Sequence, residues 1–128
     1  MPSKDIQDCD PKLISFWYAL KKWYQDKFPA REIFLTCTYR SPAEQAEIFA
    51  KNKPGIILTR CDGAKVKSKH NYKPARALDC AISENGKVKW QEDYYSPIGD
   101  AIKELGYSKS IRWGGVFSFS DPQHIELL

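Results

Sequence analysis

The sequence has no Cys-x-x-Cys pair. Its four cysteines, at positions 9, 37, 61 and 80, stand 28, 24 and 19 residues apart, which argues against a structural zinc site built from four thiolates. It also has no run of basic residues interleaved with aromatics and no recognised nucleic-acid-binding motif, so nucleic acid is not an expected partner. No window is long and apolar enough to span a membrane, and Met1 to Asp8 hold no apolar stretch of the kind a signal peptide needs. The expectation is a chain made in a cytoplasm, with free thiols by default and no stable membrane association. Histidine is scarce as well: there are two, His70 and His124.

What is present reads as one globular domain over residues 1–128, monomeric, with 42% hydrophobic and 28% charged residues. The net charge of +4 is unevenly spread, since Lys65, Lys67, Lys69, Lys73 and Arg76 bracket His70. Such a bracket is either a solvated loop or a field that draws in an anionic polymer.

Patterning gives the elements. Asp10-Pro11 opens a helix whose stripe is Leu13, Phe16, Trp17, Leu20, Tyr24 and Phe28, and Pro29 stops it. Residues 33–40 alternate as a strand, with Ile33, Leu35, Cys37 and Tyr39 on one face and Arg40 on the other. Cys37 and Cys80 read as small buried hydrophobes. Ser41-Pro42-Ala43-Glu44 is a capping box opening a helix to about Lys51. Residues 56–60 and 64–67 suggest a hairpin around Cys61-Asp62-Gly63. In the strand over 76–82, Leu78, Cys80 and Ile82 share one face, and Asp79 lies between Ala77 and Ala81 on the other. Asn85-Gly86 is a type I′ turn signal, Ser96-Pro97 begins the last helix, and Gly106 ends it. A final strand over 123–127 sets His124 and Glu126 opposite Ile125 and Leu127. The fold expected is α+β: a small antiparallel sheet with helices packed on one face and a site on the other.

That site has the donors for metal chemistry. A catalytic zinc needs three N or O ligands and an open position for water, and His70, Asp79 and His124 would supply the three, for one Zn2+ per chain. Asp121, three residues before His124, is placed to take a proton from that water. Blander roles stand beside these. Asp79 would pair with Arg76 or Arg40, Asp121 would cap the Pro122 turn, and Arg40 would pair with Glu44.

The pattern Ser68-x-His70, a short loop, Ala77-x-Asp79 and a distal Asp121-x-x-His124 resembles the zinc peptidases that include D-alanyl-D-alanine carboxypeptidases, vancomycin-resistance dipeptidases and the L-alanyl-D-glutamate peptidase endolysins of bacteriophages. The likeness extends upstream to Thr38-Tyr39-Arg40-Ser41 with Gln45, and downstream to Arg112-Trp113-Gly114-Gly115. It implies zinc ligands at His70, Asp79 and His124, a general base at Asp121, and a catalytic Arg40 that stabilises charge on the attacked carbonyl. It further implies that Ser68, Gln45 and Trp113 contact the substrate, Trp113 as a wall of the site and Ser68 as a residue that orients either a neighbour or the substrate. Two departures stand out: the histidine-to-aspartate gap is nine rather than seven, with Lys73-Pro74 in the loop, and Val116 follows Trp-Gly-Gly where relatives often carry aspartate.

The function so implied is zinc-dependent hydrolysis of peptidoglycan stem peptides, at the L-alanyl-D-glutamate bond, as a phage-type endolysin without a separate wall-binding domain. Such a protein would be made in the cytoplasm of the producing cell and act in the periplasm or cell wall after a holin-like partner permeabilises the membrane. D-alanyl-D-alanine carboxypeptidase activity is the alternative. A non-catalytic zinc-containing binding module is a third reading, since the fold also resembles hedgehog signalling domains.

Overall fold

The structure is a computed structural model that describes residues 1–128. Asp10 caps the first helix by accepting the Lys12 N–H, Pro11 takes the first position, and α1 runs over Pro11–Lys27. β1 follows at Arg31–Cys37, and α2 at Pro42–Ala50 opens on the Ser41–Glu44 capping box. β2 (Ala77–Glu84) and β3 (Lys87–Lys89) are joined at Asn85 and Gly86, whose φ values of 53° and 76° are those of the I′ turn. α3 (Glu92–Glu104), β4 (Ile111–Trp113) and β5 (His124–Leu127) complete the chain.

The five strands form one antiparallel sheet ordered β1-β2-β5-β4, with β3 paired to the end of β2. Leu78, Cys80 and Ile82 of β2, with Ile33 and Ile125, meet Phe16 and Leu20 of α1 and Ile98 of α3 in a single core. Each such burial is worth roughly 1.5–3 kcal/mol, so stability resides on this side of the sheet and the opposite face is free to hold polar groups. α2 is not part of that core layer: Gln45 is its one buried residue, and its Ile48 borders a cleft on the opposite side.

Three local expectations are corrected. Residues 56–67 form no hairpin, because side chains take the backbone groups a ladder would use. Asn52 accepts from the Leu58 and Thr59 N–H groups and donates to the Thr59 carbonyl, and Asp62 accepts from Ala64 and Val66. α3 begins at Glu92, one turn before Ser96, and carries Pro97 inside it. Tyr95 anchors the added turn: it is buried, donates its hydroxyl to the Lys89 carbonyl and accepts from the Ile82 N–H.

The third correction matters most for the site. β1 ends at Cys37, and its register with β2 slips between Leu35↔Cys80 and Cys37↔Asp79. Thr36 is the extra residue of this bulge, and one extra residue reverses which face the next side chain takes. Cys80 is in the core as expected, but Cys37 is turned onto the face of Asp79 and lies outside the core cluster.

Candidate metal centre and active site

Register brings the ligand candidates together. Asp79 of β2 is the direct partner of His124 of β5, and His70 arrives on a 3-10 turn over Lys69–Asn71. Ser68 caps that turn by accepting the His70 N–H, and Asn71 accepts the Ser68 N–H while donating to the Arg40 carbonyl. The Arg40 N–H in turn donates to the His70 carbonyl at 2.9 Å. Ser68 is thus a fastener of the His70 turn that also lines the cleft.

Each histidine has one nitrogen committed elsewhere. His70 donates Nδ1–H to the Thr38 carbonyl at 2.7 Å, which leaves Nε2 buried, without a hydrogen-bond partner, and 3.3 Å from Asp79 Oδ1. His124 donates Nε2–H to Glu126 Oε1 at 2.8 Å, which leaves Nδ1 3.1 Å from the same Asp79 oxygen. Two bare nitrogens then approach one carboxylate oxygen from either side, and such a set of acceptors is unfavourable without a cation among them. A tetrahedral zinc with ligands at roughly 2.0–2.1 Å spaces its ligand atoms about 3.3 Å apart. Asp79 is separated from each ring by close to that length.

Donors lying mutually within 4.8 Å form two sets, Cys37-His70-Asp79 and Asp79-Asp121-His124. The expected triad is therefore joined through Asp79, with a histidine on either side, and Cys37 and Asp121 each add a donor on one flank. By donor chemistry and by the orphaned Nε2, the residues fit a divalent metal ion.

In the metal-free chain, protons meet the same need. Burial alone would lower the His70 pKa, yet the adjacent Asp79 charge pushes it up to about 10. His124 is raised too, its hydrogen bonds to Asp79 and Glu126 outweighing burial. Burial works to raise Asp79, but His70 and His124 hold it far below the usual carboxylate range. The two remaining carboxylates are pushed apart. Burial and then the Asp79 charge raise Asp121, whereas His124, Arg112 and Lys69 overcome burial at Glu126 and bring it to about 2. Asp121 is thus prone to take a proton, and Glu126 is a fixed anion.

Arg40 lies beyond the end of β1 and is held from three sides. Nη1 donates to Gln45 Oε1 at 2.8 Å, and Nη2 stands 3.5 Å from both Asp79 Oδ2 and Cys37 Sγ. Its Nε is buried without a partner. Glu44 instead accepts the Ser41 N–H and pairs with the Met1 ammonium group. Gln45 is fully buried, donates to Thr59 Oγ1 and the Cys61 carbonyl, and does not line the cleft. It positions Arg40 and has no surface to offer a substrate.

Trp113 is likewise not a wall of the site. It pairs with Ile125 on the core face of the sheet, and its Nε1–H donates to the Pro122 carbonyl at 2.6 Å. It secures the turn that carries Asp121. Gly114 and Gly115 follow from this packing: a Cβ at 114 would run into the Asp121 carbonyl, and one at 115 into the Trp113 ring.

The cleft over these residues encloses about 560 Å³. Arg60, Lys67, Lys69 and Arg112 give it a cationic rim, and Leu58, Phe117 and Phe119 an apolar wall. Only part of the basic bracket around His70 takes part: Lys67 and Lys69 line the cleft, whereas Lys73 and Arg76, over the Tyr39 and Tyr72 rings, do not.

Three participants escaped the sequence reading. Cys37 is buried as expected, but no pattern signals the bulge that moves it to the face of Asp79. Glu126 and Arg112 are partners across β5 and β4 with Oε2 accepting from Nε and Nη2 at 3.0 and 2.9 Å. The signal for Glu126 was legible: alternation alone sets it beside His124 on the polar face.

Against known structures, the chain is similar to the crystal structure of the Serratia marcescens L-Ala D-Glu endopeptidase ChiX, with a TM-score of 0.72 over 96% of this chain and 83% of that one. At 21% identity this likeness speaks for the fold. A search of curated protein sequences gave no match. A sequence profile described as D-alanyl-D-alanine carboxypeptidase matches residues 62–127, just over half the chain, and includes His70, Asp79, Asp121 and His124. The chain belongs to that family of peptidases.

Proposed function

We propose that this protein is a zinc-dependent peptidase that cuts the L-alanyl-D-glutamate bond of peptidoglycan stem peptides, in the manner of a phage endolysin. The observation that carries the reading is the convergence of the bare His70 Nε2 and His124 Nδ1 on Asp79, with the proton-seeking Asp121 beside them. His70, Asp79 and His124 would hold the ion. Zinc, when bound, supplies a Lewis acid and a water acidic enough to lose its proton near neutral pH.

The chain's own residues provide the rest. Asp121 accepts the proton of the attacking water and returns it to the leaving amine, a role suited by its raised pKa. Arg40, fixed by Gln45 and Asp79, presents its guanidinium to the negative charge that builds on the attacked carbonyl oxygen. Arg60 and Lys67 on the rim attract the free carboxylates of stem peptides. The family's description favours D-alanyl-D-alanine carboxypeptidase activity as the second reading.

The deciding experiment digests purified sacculi and identifies the new termini by mass spectrometry. A new N-terminal D-glutamate supports the endopeptidase, release of D-alanine alone supports the carboxypeptidase, and intact sacculi with a zinc-loaded protein overturn both.

A further inference from the structure

Glu126 lies two residues beyond His124, is 7% exposed, and divides its two oxygens between different tasks. Oε1 accepts only the Nε2–H of His124. Oε2 takes the cations: Nε and Nη2 of Arg112 from β4, and Lys69 Nζ at 3.2 Å from the turn that carries His70. Lys69 also donates to the Leu127 carbonyl, so that turn is fastened to β5 at two points. Two other elements thus immobilise a carboxylate whose free oxygen has one partner, an imidazole edge. Two cations on Oε2 keep Glu126 an anion, and an anion can only accept, so His124 must be the donor at Nε2.

We propose that Glu126, clamped by Arg112 and Lys69, is a positioning residue that fixes the tautomer and ring angle of His124 so that Nδ1 faces Asp79 as a ligand atom. This rests on the zinc site proposed above. Outer partners of metal-bound imidazoles orient the ring and raise its basicity, and losing one typically weakens metal binding about 10–100-fold. The clamp also links both histidines: Lys69 precedes His70 directly, and Glu126 holds His124.

The test uses the full chain with zinc alone. Affinity is measured by chelator competition for the wild type, Glu126→Ala and Glu126→Gln, and the metal-bearing nitrogen of each histidine is read from 15N spectra of the zinc-loaded protein. Glu126→Ala is expected to weaken zinc about 10–100-fold. Glu126→Gln, whose amide oxygen can still accept from Nε2–H, recovers most of that loss, and wild-type His124 carries its proton on Nε2. The inference is overturned if Glu126→Ala binds zinc like the wild type, if the glutamine variant is as weak as the alanine one, or if His124 meets the metal through Nε2. Should the alanine variant fail to fold, the glutamine variant's spectrum decides by the same criterion. A wild-type chain that takes up no zinc at all refutes the zinc reading itself, a failure visible before any variant is compared.

Discussion

Cys37 stands opposite Asp79, not opposite Cys80. The bulge at Thr36 sets its sulfur 3.8 Å from His70 Nδ1 and 3.5 Å from Arg40 Nη2, so it packs among the polar groups of the site. Cys37→Ser, which retains the size and an acceptor, should therefore fold normally and keep its metal. Cys37→Leu should cost about 1–3 kcal/mol by overpacking and displace His70 or Arg40, with activity falling further than stability explains. Thermal unfolding and wall-digestion assays on both variants decide; at a true core position leucine would be the better tolerated.

Asp121→Asn keeps the size of the side chain and removes the proposed base. It should fold and retain zinc while activity drops by on the order of a hundredfold or more. Because burial and Asp79 raise the Asp121 pKa, the wild-type rate should fall on acidification at a higher pH than an ordinary carboxylate would impose. Zinc content measured beside the pH–rate profile checks both parts.

Trp113→Phe removes the indole N–H and leaves the Pro122 carbonyl without its donor. The expected cost is about 1 kcal/mol in stability. Since Trp113 steadies the turn of Asp121 and does not line the cleft, kcat should fall with KM little changed. A rise in KM alone would restore Trp113 to the substrate wall.

Gly114→Ala is a steric test. Its Cβ would lie 2.9 Å from His124 Cβ and 3.1 Å from the His124 carbonyl oxygen, besides meeting that of Asp121. The backbone of the Asp121–His124 segment must shift to admit it, so metal affinity and activity should fall together. Isothermal titration with zinc, beside a circular dichroism check of the fold, separates this from global unfolding.

In the metal-free chain, stability should peak in mildly acidic solution. The pKa of Glu126 is lowered in the fold from 4.5 to about 2, so its contribution is complete above pH 4.5 and disappears as pH falls toward 2. That shift is worth on the order of 3 kcal/mol. His70 is raised from 6.5 to about 10, so its contribution is complete below pH 6.5 and is lost as pH rises toward 10. Melting temperature against pH in the presence of chelator should show both limbs, and Glu126→Gln should shrink the acid one to the part that Asp79 contributes.

How far the sequence reached can be judged residue by residue. Asp10-Pro11, the Ser41 capping box and Asn85-Gly86 act through their immediate neighbours, and each forms as its local chemistry requires. Asp79 and His124 were legible because strict alternation separates a core face from a polar one. The side of Cys37, the start of α3 and the absence of a hairpin at 56–67 were not. Each depends on a distant partner or on side chains competing for backbone groups: Asp79 across the bulge, Lys89 and Ile82 for Tyr95, Asn52 for Thr59. Gln45 and Trp113 belong to the pattern but hold Arg40 and the Pro122 turn, since spacing cannot tell a residue that touches a substrate from one that holds its neighbour.

The pairing of Asp79 with His124 joins residues 45 positions apart in the chain. His70 adds a third donor nine residues before Asp79, so no short peptide of this protein contains the whole set, and the unfolded chain does not hold the three together. An ion held there favours the finished fold by up to RT ln(1 + [L]/Kd), about 4 kcal/mol at a thousandfold excess over Kd. Chelation should accordingly appear first as susceptibility to proteases throughout the molecule, in strands far from the cleft as much as beside it.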